Sequence, residues 1–257
     1  AYRTAPDTLY ELGAEIVPLA VSPDGFNINE NCGAVHPQVM AAAVVAHGAD
    51  AGICLDGDAD RLIMADENGK IIDGDQILGC LALAMQERGT LANNAVVGTV
   101  MTNRGLEARL GKAGINLHRV AVGDRYILEK MRQDELNLGG EPSGHMLMTD
   151  FARSGDGLLT ALQMLTLLKT SGKKASTLFN SFLPNPQRLE NLRGIDPVIL
   201  QDKKLQSDLA NIETNLNGKG RVLVRPSGTE ALVRVMVEAE TDALVTEAMD
   251  ALILRIT

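Results

Sequence analysis

The sequence predicts an α/β protein that ends in a small α+β domain. Three observations carry this expectation. Apolar runs of strand length, such as residues 51–55 and 95–100, are bounded by turn residues. Segments with helically spaced apolar residues alternate with them as far as Leu168, and Phe182-Leu183-Pro184-Asn185-Pro186 then breaks the rhythm before a stretch of different layout.

Taken in order, Pro6 and Asp7 open a short helix that runs to Leu12 and stops at Gly13, and residues 14–20 read as a strand. A helix over 39–45 ends near Gly48. Residues 51–55 form a buried strand, and 62–65 with 70–72 form a hairpin closed on Asn68-Gly69. Next come a helix over 75–88, a strand over 95–100, a helix over 105–112, a strand over 116–122 and a helix over 125–132. Residues 136–139 add a short strand, and 155–168 a long Leu-rich helix with Asp156 in its cap region. Beyond the break, 187–192, 221–225 and 232–238 read as strands, and 205–216 and 242–253 as helices. The expected domains are 1–70, 71–183 and 184–257.

At 257 residues the chain is long enough for two or three compact units with substantial cores. Its 45% apolar and 22% charged content is that of a soluble globular protein, and no apolar stretch nears the roughly 20 residues that cross a bilayer. A net charge of -9 argues against a nucleic acid or an anionic membrane as partner, because polyanions are steered by positive fields. An anionic substrate must then be held by local arginines. Cys32, Cys54 and Cys80 are scattered and odd in number, which favours a reducing, cytoplasmic setting over a disulfide framework. The first residues carry neither an initiator Met nor a signal-peptide layout, so the sequence is expected to start inside a longer protein.

The chemistry concentrates in three loops. Asp56-Gly57-Asp58-Ala59-Asp60-Arg61 crowds three carboxylates behind an apolar strand. Like charges so close repel unless a cation sits among them, which makes Asp56, Asp58 and Asp60 candidate ligands of a divalent metal and leaves Arg61 as a planar fork for phosphate oxygens. Counted from Asp56, acids at the first, third, fifth and twelfth positions also mimic a calcium loop, but position six is Arg61 instead of Gly and the flanks are strands. A third reading is the aspartate-nucleophile pattern of haloacid-dehalogenase-type phosphatases, which Asp56-Gly57-Asp58 resembles and Asp60 breaks.

The second loop, Gly139-Gly140-Glu141-Pro142-Ser143-Gly144-His145, lets backbone approach a ligand. Glu141 and Ser143 can bind sugar hydroxyls or an amine, and His145 can move a proton. The third, Arg225-Pro226-Ser227-Gly228-Thr229-Glu230, offers a guanidinium, two hydroxyls and flexible backbone to a phosphate, with Arg234 following in the next strand. Each of the last two is also an ordinary turn or structural loop when taken alone.

In this order and at these separations, the three loops resemble those of the α-D-phosphohexomutases over essentially the whole chain. The resemblance implies two consecutive phosphohexomutase-type α/β domains, the first incomplete, then the small α+β domain. The spellings Glu141-Pro142-Ser143-Gly144-His145, Asp24-Gly25-Phe26-Asn27-Ile28-Asn29 and Asn31-Cys32-Gly33-Ala34 look most like bacterial members that interconvert glucosamine 6-phosphate and glucosamine 1-phosphate for cell-wall precursors. Glucose- and mannose-phosphate mutases of the same superfamily are the alternative.

The resemblance further implies that Asp56, Asp58 and Asp60 hold one Mg²⁺ and that Arg61 balances the transferring phosphoryl group. Glu141 and Ser143 would orient the hexosamine phosphate, and His145 would transfer a proton. Arg225, Ser227, Gly228, Thr229 and Arg234 would grip the phosphate that is not transferred. Family members pass phosphate between a phosphoserine and a bisphosphorylated sugar. The serine loop, of Thr-Ala-Ser-His-Asn-Pro type, does not occur in this sequence, so these residues alone are expected to bind and not turn over. Ala231 stands where many relatives have Pro, and a homodimer is the oligomer the resemblance allows.

Overall fold

The computed structural model describes residues 1–226 and 232–256, which fall into two compact units, Ala1–Leu183 and Pro184–Thr257. The first unit holds two sheets. Strands β1 (Ala51–Leu55), β2 (Leu62–Asp66) and β3 (Ile71–Ile72) form an antiparallel meander in that order. The turn before β3 closes around Asp66, whose Oδ1 accepts the backbone N–H groups of Asn68 at 2.9 Å and Lys70 at 3.0 Å. β2 is buried along its whole length because both faces are covered. Helix α2 (Gln38–His47) sets Met40, Ala41 and Val44 against Cys54, Ile63 and Ala65, while Leu62 and Met64 join the larger core on the other face.

The larger core is built on a mixed sheet of order β5-β4-β6-β7. β4 (Ala95–Thr99) runs parallel to both β5 (Asn116–Val120) and β6 (Leu138–Gly140), and β6 turns back antiparallel into β7 (Met146–Met148). Helices α3 (Gly74–Glu87), α4 (Arg104–Lys112) and α5 (Asp124–Gln133) pack against it, while α6 (Gly157–Ser171) lies against α3, β1 and β2, and a short α7 (Ala175–Leu178) against β2. Their starts follow capping chemistry: Asp73, Asn103 and Asp156 each accept a first-turn backbone N–H. The two sheets of this unit thus differ in strand direction, and their likeness is one of α/β make-up alone.

In the second unit β10 (Leu232–Ala239) lies between β8 (Gln187–Arg193) and β9 (Gly220–Pro226), all antiparallel, with α8 (Lys203–Asn215) and α9 (Asp242–Ile256) closing a separate core. Arg221 reaches across the ladder to Glu238, Nε to Oε2 at 2.6 Å, so the fully buried carboxylate is paired.

One expected element is not formed. Residues 14–20 are irregular and largely exposed, although their sequence reads as a strand. A strand exists only through a ladder partner, and β1 is bonded to β2 alone among the described strands; Pro18 in addition withholds a donor. Helix α1 (Thr4–Glu11) likewise buries none of its residues. β7 and α7 were not expected, and neither exceeds four residues.

The meander, the mixed sheet and the starts of α3 and α6 are fastened together by main-chain hydrogen bonds. Leu62 N donates to Gly144 O at 3.1 Å, Gly74 N to Pro142 O at 3.1 Å and Gly157 N to Ala59 O at 2.9 Å, and Arg61 forms an antiparallel bridge with His145. Gly144 has φ +93°, and a Cβ there would stand 2.1 Å from Leu62 O. Backbone cannot yield as a side-chain tip can. Gly144→Ala is therefore expected to lower unfolding free energy by about 3 kcal/mol in denaturant titration, whereas an effect below about 1 kcal/mol would mean that the contact is adaptable.

A second prediction concerns acid. Ser176 gives Glu67 both its hydroxyl, at 2.5 Å, and its backbone N–H, at 2.8 Å, and these bonds hold the Glu67 carboxyl below its ordinary pKa. A carboxyl lowered on folding contributes stability above its unfolded pKa of about 4.3, and that stability is lost as pH falls through the folded value. Glu67→Gln should flatten the fall in stability below about pH 4.3, read by circular dichroism at graded pH. An unchanged acid limb would remove Glu67 from that account.

Candidate active site

The acidic loop is the connection between the antiparallel strands β1 and β2, which pair from Leu55↔Leu62 outward. Ala59 takes a left-handed φ of +62° and its N–H reaches Asp56 O at 3.2 Å, tightening the turn. Asp56 Oδ1 accepts Arg61 N at 3.1 Å, which folds the loop's two ends together. As a result one ligand atom from each of Asp56, Asp58 and Asp60 lies within 4.8 Å of the others.

The electrostatics match a cation site. Burial, and then the charges of Asp60 and Asp58, raise the pKa of Asp56, while the Arg61 N–H and guanidinium oppose them. Arg61 Nε stands 3.6 Å from Asp56 Oδ2 and 3.8 Å from Asp60 Oδ1, too far for hydrogen bonds. Asp60 Oδ1 is buried and has no hydrogen-bond partner among the described residues. Three hard oxygen donors with one buried and unsatisfied lone pair fit Mg²⁺ or a similar dication.

The second loop is the turn joining β6 to β7. Glu141 N donates to His145 O and Gly144 N to Glu141 O, each at 3.0 Å. Both carboxylate oxygens of Glu141 are engaged: Oε1 accepts Gly123 N at 3.0 Å, and Oε2 accepts the Ser143 hydroxyl at 3.3 Å. His145 is buried and its Nδ1 lies 3.0 Å from Asp60 Oδ2, so a side chain of the glycine-rich loop holds a side chain of the acidic loop. Its Nε2 is buried without a hydrogen-bond partner among the described residues.

Several participants in this arrangement escaped the sequence reading. Gly155 lies against the imidazole, where a Cβ would sit 2.3 Å from His145 Cε1, and Gly157 meets Arg61 O. Gly123 supplies the N–H to Glu141. The available signal was the glycine pair flanking Asp156 and the glycine before α5, both of which read simply as helix starts.

In the second unit Arg225 on β9 and Arg234 on β10 are direct cross-strand partners. Burial, followed by the charge of Arg234, lowers the pKa of Arg225. Two guanidinium groups brought together across a ladder are a donor set of the kind that binds a phosphate. Ser227, Gly228, Thr229 and Ala231 lie outside the described residues.

Comparison with known proteins identifies the domains. Residues 1–69 match phosphoglucomutase/phosphomannomutase alpha/beta/alpha domain II, 73–185 match alpha/beta/alpha domain III, and 180–254 match the C-terminal domain. The phosphoglucosamine mutase of Roseobacter denitrificans is 54% identical over 98% of this chain, and that of Paracoccus denitrificans 52% identical over 98%. The chain spans only 57% of the length of each of these relatives. A phosphoglucomutase/phosphomannomutase family protein from Burkholderia thailandensis superposes with a TM-score of 0.81 at 25% identity, covering 98% of this chain and 56% of that one. The chain belongs to the phosphoglucomutase/phosphomannomutase family, and its residues correspond to domains II, III and IV of that fold.

Proposed function

We propose that this chain provides the metal, sugar and distal-phosphate loops of a phosphohexomutase that interconverts glucosamine 6-phosphate and glucosamine 1-phosphate. The reading divides it into functional units 1–70, 71–183 and 184–257, one loop to each. The observation that carries it is the 3.0 Å contact between His145 and Asp60, reinforced by the Arg61–His145 bridge, which joins a cation cage to a sugar-type loop. Identity above 50% to phosphoglucosamine mutases supports the choice of hexosamine phosphate. Family membership sets aside the calcium-loop and dehalogenase-type readings.

Each residue then has a task. Asp56, Asp58 and Asp60 would hold Mg²⁺, which when bound neutralises charge on a transferring phosphoryl group. Arg61, exposed beside the cage, is suited to the same charge from its other side. Glu141 and Ser143 orient sugar hydroxyls; their mutual hydrogen bond keeps both rotamers set before the sugar arrives. His145 fixes Asp60 through Nδ1 and is the group we assign to proton transfer at Nε2. Arg225, Ser227, Gly228, Thr229 and Arg234 grip the second phosphate, so that either end of the sugar can be presented. The phosphoryl donor in this scheme is a phosphoserine, with a bisphosphorylated sugar as intermediate. These residues include no such serine loop, and by themselves they should bind hexosamine phosphate without turning it over.

Magnesium titration tests the cage. The wild-type chain should show saturable Mg²⁺ binding by calorimetry and a rise in Tm with Mg²⁺ concentration, and Asp58→Ala should lose both. Retained binding in that variant would remove the triad from the metal site. For the phosphate grip, Arg225→Ala should weaken glucosamine 6-phosphate binding about tenfold or more, as expected for loss of a charge-assisted contact. Unchanged affinity by calorimetry would count against the role.

A further inference from the structure

Two of the three cysteines lie on neighbouring segments and have no part in the proposed function. Cys54 is on β1, buried in the small core with Met40, Ala41, Val44, Ile63 and Ala65, and Ala34 packs against the same cluster. The stretch that carries Cys32 is bonded to the end of β1, where Ala34 N donates to Leu55 O at 3.0 Å. Gly33 lies against that carbonyl too: a Cβ there would stand 3.0 Å from Leu55 O and 3.9 Å from Asp56 Cα. Each cysteine is thus the chain neighbour of a residue in this contact, Cys32 of Gly33 and Cys54 of Leu55. Ile28 of the same stretch rests on the acidic loop, where a Cβ on Gly57 would meet its Cδ1 at 2.6 Å.

The two thiols are close enough to act on each other. Burial, and then the charge of Cys32, push the Cys54 thiol up to about 11. Their surroundings differ: Cys32 is half-buried and open to a small solute, whereas Cys54 is buried. An accessible thiol beside a sheltered one is the arrangement in which oxidation of the first is resolved by the second. Cys80 belongs to the other core of the first unit, where its Sγ donates to Leu178 O at 3.2 Å. A bond between the sulfurs of Cys32 and Cys54 would fasten the stretch that rests on the acidic loop to the strand that delivers that loop.

We propose that Cys32 and Cys54 form a redox modification site, which hydrogen peroxide converts to an intramolecular disulfide that pins residues 28–34 to β1. The Cys32 thiolate attacks one peroxide oxygen and breaks the O–O bond, leaving a sulfenic acid and a hydroxide that takes up a proton to give water. The Cys54 sulfur then attacks the Cys32 sulfur, and its S–H proton leaves with the displaced hydroxyl as a second water. Two thiols are oxidised and one peroxide is reduced; a dithiol reverses the bond by exchange. Trypsin isolates the pair for a test, because no Lys or Arg lies between Arg3 and Arg61: residues 4–61 leave as one peptide with both cysteines, and Cys80 leaves in 71–88. The whole chain is treated with peroxide, denatured, alkylated with iodoacetamide and digested for mass spectrometry. Peptide 4–61 should be lighter by two hydrogens and carry no alkyl group, dithiothreitol should restore both alkylation sites, and 71–88 should stay alkylated throughout. Cys54→Ala, which keeps the core apolar, should leave a Cys32 sulfenic acid that dimedone traps. Two alkyl groups on 4–61 after peroxide, a further oxidised Cys32 beside an alkylated Cys54, or a link formed only between molecules overturns the proposal. The wild-type result decides by itself, so a variant that fails to fold leaves the test intact.

Discussion

The site depends on a short main-chain seam that joins the β1–β2 connection to the β6–β7 turn and to the start of α6. Acidic side chains that crowd together repel, and an exposed loop bearing three of them would spread without restraint. Here the restraint comes from N–H and C=O groups: Leu62 to Gly144, Gly157 to Ala59, and the bridge of Arg61 with His145. Such bonds cost little once the sheets are in place, and breaking one leaves a buried donor or acceptor without a partner. Assembly of the core therefore supplies the free energy that keeps the carboxylates gathered. The cage is a product of packing on both sides of β2, whose five residues are all buried.

Much of the fold was legible in the sequence. The strand at 51–55 and the hairpin that follows it, the helices of the first unit and every regular element expected after the linker are found within a few residues of their expected bounds. Apolar periodicity and the cap at Asp156 are strong local signals. The reading of 14–20 as a strand went astray because alternation says which face is apolar and says nothing about a hydrogen-bonding neighbour. β7 was missed for the opposite reason: three apolar residues are too few to show a period.

For the site, what was legible followed residue chemistry. Carboxylates, guanidinium groups and a glycine-rich turn announce themselves through composition and spacing, and the acidic triad and the facing pair Arg225 and Arg234 are found close together as side-chain chemistry suggested. What remained hidden is carried by backbone atoms, which are the same in every residue. No spacing rule reveals that Gly123 donates to Glu141, or that His145 belongs with Asp60 across 85 positions of sequence. Tertiary topology decides those pairings, the first through the parallel placement of β5 and β6 about β4 and the second through the seam between the β1–β2 connection and the β6–β7 turn.

The absence of side chains at Gly144, Gly155 and Gly157 has an evolutionary corollary. Each abuts either a carbonyl oxygen or the imidazole at distances that admit no methyl group. Genetic drift is thus barred at these three places, while the exposed Ser143, next to Gly144 in the chain, is under no such restriction.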